Sequence, residues 1–219
     1  MQKRIKFPWP TKKVMEQIYK DHLWGGIDED FYSGEGSHHD SIVQPYLAAT
    51  IGFLESHDDP LTVCDLGCGD FNIGRQLTPY VKSYVGVDIV ASLIKRNQDL
   101  YANDHITFKC LDISKDRLPQ ADCAILRQVL QHLSNQEIQQ ILNQLRRYKY
   151  LILTEHIPQQ AFTPNKDKIA SLGIRLKQNS GVDILVSPFN FKIISKKLLH
   201  EIILSSRQGK ISTCLFTLP

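Results

Sequence analysis

Val63-Cys-Asp-Leu-Gly-Cys-Gly-Asp-Phe-Asn-Ile-Gly74 decides the fold: an apolar strand whose last residues include Asp65 runs into the turn Gly67-Cys68-Gly69, and a helical pattern follows. Glycine at both turn positions lets the backbone approach a ligand with no Cβ in the way. The same stretch excludes one ligand class. A dinucleotide fingerprint needs glycine at position 72, where the chain has Asn72, and the next glycine is Gly74. Pyrophosphate binding, and with it a nucleotide-cofactor oxidoreductase, is disfavoured. Taken alone, the turn also reads as a tight strand-to-helix junction.

Outward from this turn, short apolar runs alternate with amphipathic segments. The pattern predicts strand 61–66, helix 72–79, strand 84–88, helix 90–101, strand 106–111 and strand 122–127. Ser134-Asn-Gln-Glu137 is a capping box opening a helix whose buried stripe is Ile138, Ile141, Leu142 and Leu145, and strand 150–154 follows. Such alternation predicts an α/β domain around a parallel sheet. Upstream, Val43, Leu47, Ile51 and Leu54 fall at helical spacing, with Asp40 or Ser41 as N-cap and His57-Asp-Asp-Pro as the stop. Downstream, two apolar segments within 198–218 flank Arg207-Gln-Gly-Lys210 and predict a closing antiparallel hairpin. Residues 1–40 lack a clear period and read as an arm or lid, with a basic helical patch at 12–20. Residues 157–190 form a long polar connection, a kind that is often functional.

The chemistry-bearing residues gather where strands end. Asp88 closes Tyr84-Val-Gly-Val-Asp-Ile89 and lies 23 positions after Asp65. A carboxylate there can accept hydrogen bonds from both hydroxyls of a ribose, or cap the next helix. Asp112 sits in Cys110-Leu-Asp-Ile-Ser114, and strand 122–127 runs into Arg127-Gln-Val-Leu-Gln-His-Leu133. Open parallel sheets bind ligands beyond the carboxyl ends of their strands, so Arg127 and Gln128 border the ligand and His132 faces its far side. The apolar neighbours Val129, Leu130 and Leu133 give His132 an equally good reading as a buried structural histidine.

In order and spacing, residues 40–155 resemble the class I S-adenosyl-L-methionine (SAM) dependent methyltransferases, whose first motif is an acidic residue, Leu, Gly, any residue, Gly. The resemblance implies a Rossmann-like three-layer α/β/α sandwich, its mostly parallel sheet closed by the C-terminal antiparallel hairpin. It implies SAM as cofactor, with Asp65, Gly67, Cys68, Gly69, Asp70 and Asn72 at its methionine and ribose part. Asp88 and Ile89 then belong to the ribose, Asp112 and Ile113 to the adenine, and Arg127 and Gln128 to the cofactor border. Trp24-Gly-Gly and Ser33-Gly-Glu-Gly-Ser37 are similar to a segment before the core in uncharacterised bacterial methyltransferase-like proteins, which implies a cover over the SAM pocket. The expected division is an arm or lid at 1–40 and a methyltransferase domain at 41–219, with 157–190 a substrate-side insertion. No Asp/Asn-Pro-Pro-Tyr/Phe stretch follows the fourth strand, which takes weight from adenine and glutamine amides as acceptors.

The reaction so implied is transfer of a methyl group to an O or N atom of a small or saccharide-like acceptor. The general-base candidates are Glu155 and His156 after the fifth strand, then His132, with His38 and His39 on the lid. Phe162, Phe189 and Phe191 are possible apolar contacts for the acceptor, or local core. Protein or RNA methylation, using a basic face of N-terminal lysines with Lys166, Lys168, Arg175 and Lys177, and a non-catalytic SAM-binding domain are the alternatives. Composition narrows the rest. The 219 residues are 42% hydrophobic with 26 basic against 23 acidic side chains, enough for one core and too balanced for a nucleic-acid footprint. Five cysteines without a C-x-x-C pair fit free thiols in a reducing cytoplasm and no metal site. No run approaches the roughly 20 apolar residues of a membrane helix, so no membrane partner is expected; oligomeric state is left open.

Overall fold

A computed structural model describes residues 9–204 and 209–219. Five parallel strands, β1 (Thr62–Leu66), β2 (Ser83–Asp88), β3 (Ile106–Cys110), β4 (Cys123–Arg127) and β5 (Tyr150–Ile157), form one sheet with an antiparallel pair, β6 (Ser195–Ile203) and β7 (Lys210–Thr217). The order across the sheet is β3-β2-β1-β4-β5-β7-β6, so the order in which strands are laid down reverses between β1 and β4. That reversal is the switch point where open α/β sheets leave a crevice. Register is continuous where it matters for the site: Asp65 lies beside Gly86 and Ile125, and Asp88 beside Cys110.

The helices are α1 (Thr11–Lys20), the single turn α2 (Glu35–His38), α3 (Asp40–Leu54), α4 (Gly74–Leu77), α5 (Ala91–Tyr101) and α6 (Asn135–Leu145). Two apolar layers sandwich the sheet. On one face, Ile138, Ile141, Leu142 and Leu145 of α6 pack against Leu66, Leu126 and Leu153; on the other, Val43, Leu47 and Leu54 of α3 join Phe71, Leu77 and Ile125. Ser134 accepts the amide of Glu137 and the Glu137 carboxylate accepts the amide of Ser134, the reciprocal cap expected from the sequence.

Several local expectations are corrected. The helix expected at 72–79 is cut to α4 plus a 3₁₀ turn at Thr78–Tyr80, because Asn72 is drawn into the N-terminal segment and Pro79 supplies no amide. Neither Asp40 nor Ser41 caps α3; His39 holds that position without a side-chain cap bond, and Ser41 Oγ meets His39 Nδ1 instead. Strand β5 continues to Ile157 because β7 pairs along its whole length. Of the two readings of Phe189 and Phe191, the structure shows the local-core one: both are buried in the α6-side core. Arg207 and Gln208 of the expected hairpin turn, and the start of the arm, lie outside the described residues.

Candidate active site

The glycine turn is built for close approach. Gly67 and Gly69 have φ of +91° and +55°, conformations that favour glycine. The amides of Gly67 and Cys68 both donate to the Val87 carbonyl, at 2.8 and 2.9 Å. A Cβ on Gly67 would lie 2.4 Å from Val129 Cγ2, and one on Gly69 2.3 Å from Ser33 Oγ. Asn97 of α5, wholly buried, donates to the Gly69 carbonyl at 2.8 Å and fixes the turn from behind. The third glycine, Gly74, answers a packing need: a Cβ there would lie 2.4 Å from the Phe71 ring.

Asp88 ends β2 with its carboxylate buried, Oδ2 accepting the Gly69 amide at 3.2 Å and Oδ1 the Val90 amide at 3.0 Å. It does not cap α5, whose N-cap is Val90. Burial raises its pKa against the pull of those amides. Asp65 is buried one strand over; loss of solvent raises it to about 6, although the Tyr84 hydroxyl donates to it at 2.7 Å. At Asp112 burial works upward but loses to Lys115, at 2.7 Å, and to Ser114, and the carboxyl is held below its ordinary value.

These carboxylates line a cavity of about 510 Å3. Of the residues singled out from the sequence, Asp65, Gly67, Cys68, Gly69, Asp88, Ile89, Asp112, Ile113, Arg127 and Gln128 share its wall, as do His132 and His156. Asp70, Asn72 and Glu155 do not. Asp70 instead accepts the Ser33 amide at 2.7 Å, His38 Nε2 at 2.6 Å and the Asn72 amide at 3.0 Å. Asn72 donates to the Ser37 carbonyl at 2.7 Å, and Arg127 reaches the Gly36 carbonyl and, at 3.2 Å, Ser37 Oγ. All three hold residues 33–38 across the cavity. Tyr19, Trp24 and Ser33 complete this cover, with Tyr19 Oη 3.0 Å from Ser33 Oγ and Ser33 Oγ accepting the Asp70 amide at 2.9 Å. Trp24 and Ser33 belong to the segments expected to form a cover, whereas sequence reading missed Tyr19 and Asn97, whose roles arise from contacts across 14 and 28 residues.

At the far end, His132 Nδ1 donates to the Ser171 carbonyl at 3.2 Å, which leaves Nε2 as acceptor for the Gln131 amide at 3.3 Å. Burial lowers its pKa to about 4, so the ring is neutral and a feeble base. Gln131 Oε1 in turn accepts the His156 amide at 3.1 Å. Glu155 points the other way along β5, its carboxylate buried and raised to about 8 by desolvation despite the nearby Arg175 guanidinium. Arg175, expected on a basic surface, is 1% exposed. It donates to the carbonyls of Lys166, Leu130, Gln131 and Leu133 and to Asn135 Oδ1, tying the 158–194 connection to the wall that carries His132.

All five cysteines are free, and among the described residues no group of three or more His, Cys, Asp or Glu side chains could hold a metal ion. No described helix is long and apolar enough to cross a membrane.

Residues 64–148, from the strand before the glycine turn through α6, match the family model described as a methyltransferase domain. No curated protein matches the chain in sequence. Among solved structures, magnesium protoporphyrin IX methyltransferase from Synechocystis PCC 6803 with bound SAM is similar at TM-score 0.59 and 18% identity, over 98% of this chain and 100% of that one. Human N-acetylserotonin methyltransferase in complex with SAM is similar at TM-score 0.58 and 15% identity, over 96% of this chain and 60% of the human one. The N-methyltransferase NodS from Bradyrhizobium japonicum WM9 is similar at TM-score 0.57 and 12% identity, over 82% and 99%. At such identities the likeness is one of fold.

Proposed function

We propose that this chain, whose residues 64–148 match a methyltransferase domain, is a SAM-dependent methyltransferase of class I that methylates an O or N atom of a small or saccharide-like molecule. The observation that carries this reading is one cavity running from the glycine turn to His132 and His156 beneath the N-terminal segment. Its volume, about 510 Å3, is within the range of roughly 300–1,000 Å3 typical of small-ligand sites. The acceptor site of a macromolecular methylase would gain from a basic face, but Arg175 is spent inside the protein.

The residues present fit SAM. Gly67 and Gly69 form a cradle that a Cβ would fill, and the Asp88 carboxylate is buried at the cavity wall with both oxygens fixed. In this reading Asp88 accepts the ribose hydroxyls. Asp112 and Ile113 meet the adenine, and Gly67, Cys68, Gly69 and Asp65 contact the methionine part, with Ile89, Arg127 and Gln128 around them. Asp70 and Asn72 hold the cover in place of touching the cofactor. SAM when bound supplies a methyl group activated by a sulfonium. The protein's contribution is to align the acceptor lone pair with that methyl and exclude water, and such orientation is worth about 7 to 11 kcal/mol. His156, half-buried on the cavity wall, is the favoured proton acceptor. His132 is too weakly basic, and Glu155 faces away, its role structural.

Calorimetric titration with SAM and with S-adenosylhomocysteine, run beside Asp88→Ala, tests the reading. Micromolar binding that weakens by at least about tenfold in the variant is expected, from the worth of hydrogen bonds to a charged group. Absence of binding by the native protein would sink it.

A further inference from the structure

Resting on the reading of this cavity as a methyl-transfer site, we propose that the acceptor is an amine carried on an apolar body and bound in its cationic form. The charge of the lining points there. Glu35, Asp65, Asp88 and Glu137 face the cavity, and none of them is in an ion pair among the described residues. Among the described residues, Asp112 alone of the lining carboxylates is in an ion pair, with Lys115 at 2.7 Å. Neutral donors satisfy the two outside the proposed cofactor contacts: Tyr32 Oη serves Glu35 at 2.8 Å, and Ser134 with Thr11 serves Glu137. Arg127 is the one Lys or Arg side chain among the described lining residues. Its guanidinium is committed to Gly36 and Ser37 and lies 4.7 Å from the centre of the Tyr46 ring. Five carboxylates against that one guanidinium leave the described lining with an excess of negative charge, and such a cleft concentrates ligands of the other sign. An acceptor bearing a carboxylate or phosphate would enter against that field.

The apolar part of the wall sets the body of the acceptor. Met15, Leu23, Trp24, Leu133 and Ile211 line the same cavity. The Trp24 indole stands edge-on to Tyr19, 5.1 Å between ring centres, and 5.6 Å from the neutral His132 ring. Indole faces attract ammonium groups and gain nothing from carboxylates. Bound as an ammonium, the amine first gives one proton to solvent or to the His156 imidazole. Its nitrogen lone pair then forms the N–C bond as the C–S bond breaks. Sulfur keeps the bonding pair and departs as S-adenosylhomocysteine, and the positive charge passes from sulfur to nitrogen.

The test uses three probes that share one ring and differ in charge: phenethylamine, 2-phenylethanol and phenylacetate. Each is titrated at pH 8 into the protein saturated with S-adenosylhomocysteine, following Trp24 fluorescence in a Trp9→Phe background. Phenethylamine is expected to bind about tenfold tighter than phenylacetate, with 2-phenylethanol between, as one unpaired charge nearby would dictate. Glu137→Gln, which keeps a residue the capping box accepts, should narrow that gap. Phenylacetate binding as tightly as the amine, or no response to any probe, overturns the proposal. Failure of S-adenosylhomocysteine itself to bind would take down the cofactor reading as well, which calorimetry reports separately.

Discussion

Gly67 shows how one residue joins fold to site. Its φ of +91° strains any other residue, and a Cβ would strike Val129 at 2.4 Å, on the turn that carries Gln128 and the cavity wall. Gly67→Ala is therefore expected to cost about 1 to 3 kcal/mol of stability, read as a lowered urea midpoint at unchanged slope. Adding Val129→Ala removes the clash but not the backbone strain, so it should restore only part of that loss. Complete recovery would place the whole effect in packing. Asp88 belongs to the same scale: its carboxylate is held by two amides before any ligand arrives, so Asp88→Ala should weaken SAM binding more than it weakens the fold. Thermal denaturation run beside the calorimetry separates the two.

At the scale of elements, the N-terminal segment is fastened by a few polar contacts. Asp70 alone accepts the Ser33 amide and His38 Nε2, and Asn72 and Arg127 hold the carbonyls of Ser37 and Gly36. Such a segment opens at low free-energy cost relative to the core. Asp70→Ala should raise amide hydrogen exchange in residues 33–38 by about tenfold or more, as loss of two charge-assisted bonds implies, while β1 and β4 stay protected. SAM dissociation should quicken in parallel. Unchanged exchange in 33–38 would show that the bonds of Asn72 and Arg127, with the apolar contacts of Met15, Ile18 and Tyr19 with Val90 and Leu93, hold the cover without Asp70.

Over the whole molecule, a buried Glu155 near a buried Arg175 makes stability depend on pH. Its folded pKa of about 8 stands above the ordinary 4.5, so between those values the native state holds more protons than the unfolded chain. Stability contributed by the neutral acid is present below about 4.5 and is lost as pH rises through 8. Glu155→Gln should therefore melt higher than the native protein at pH 9, with the difference shrinking toward pH 5. A difference independent of pH would show that Glu155 does not titrate in this window. His132 acts in the opposite sense: burial holds it near 4, below its usual 6.5, so it withdraws stability as pH falls between those values.

Sequence alone was enough for the alternation of β1 to β5, the capping box at Ser134, the glycine turn, and the acidic residues Asp65, Asp88 and Asp112 at strand ends. These rest on local periodicity, local hydrogen bonds and the geometry of a parallel sheet, which a short window of residues carries. Tertiary structure decided what those windows cannot contain. Asp70 and Asn72 sit within the turn motif yet serve the cover, because their partners Ser33, Ser37 and His38 lie more than 30 residues upstream. Arg175 looked like a surface charge and is the buried tie of the connection after β5, because carbonyls of the 130–133 turn, more than 40 positions earlier, converge on it. Which of two neighbours, Glu155 or His156, reaches the cavity was settled by the pleat of β5, whose alternate side chains face opposite sides of the sheet.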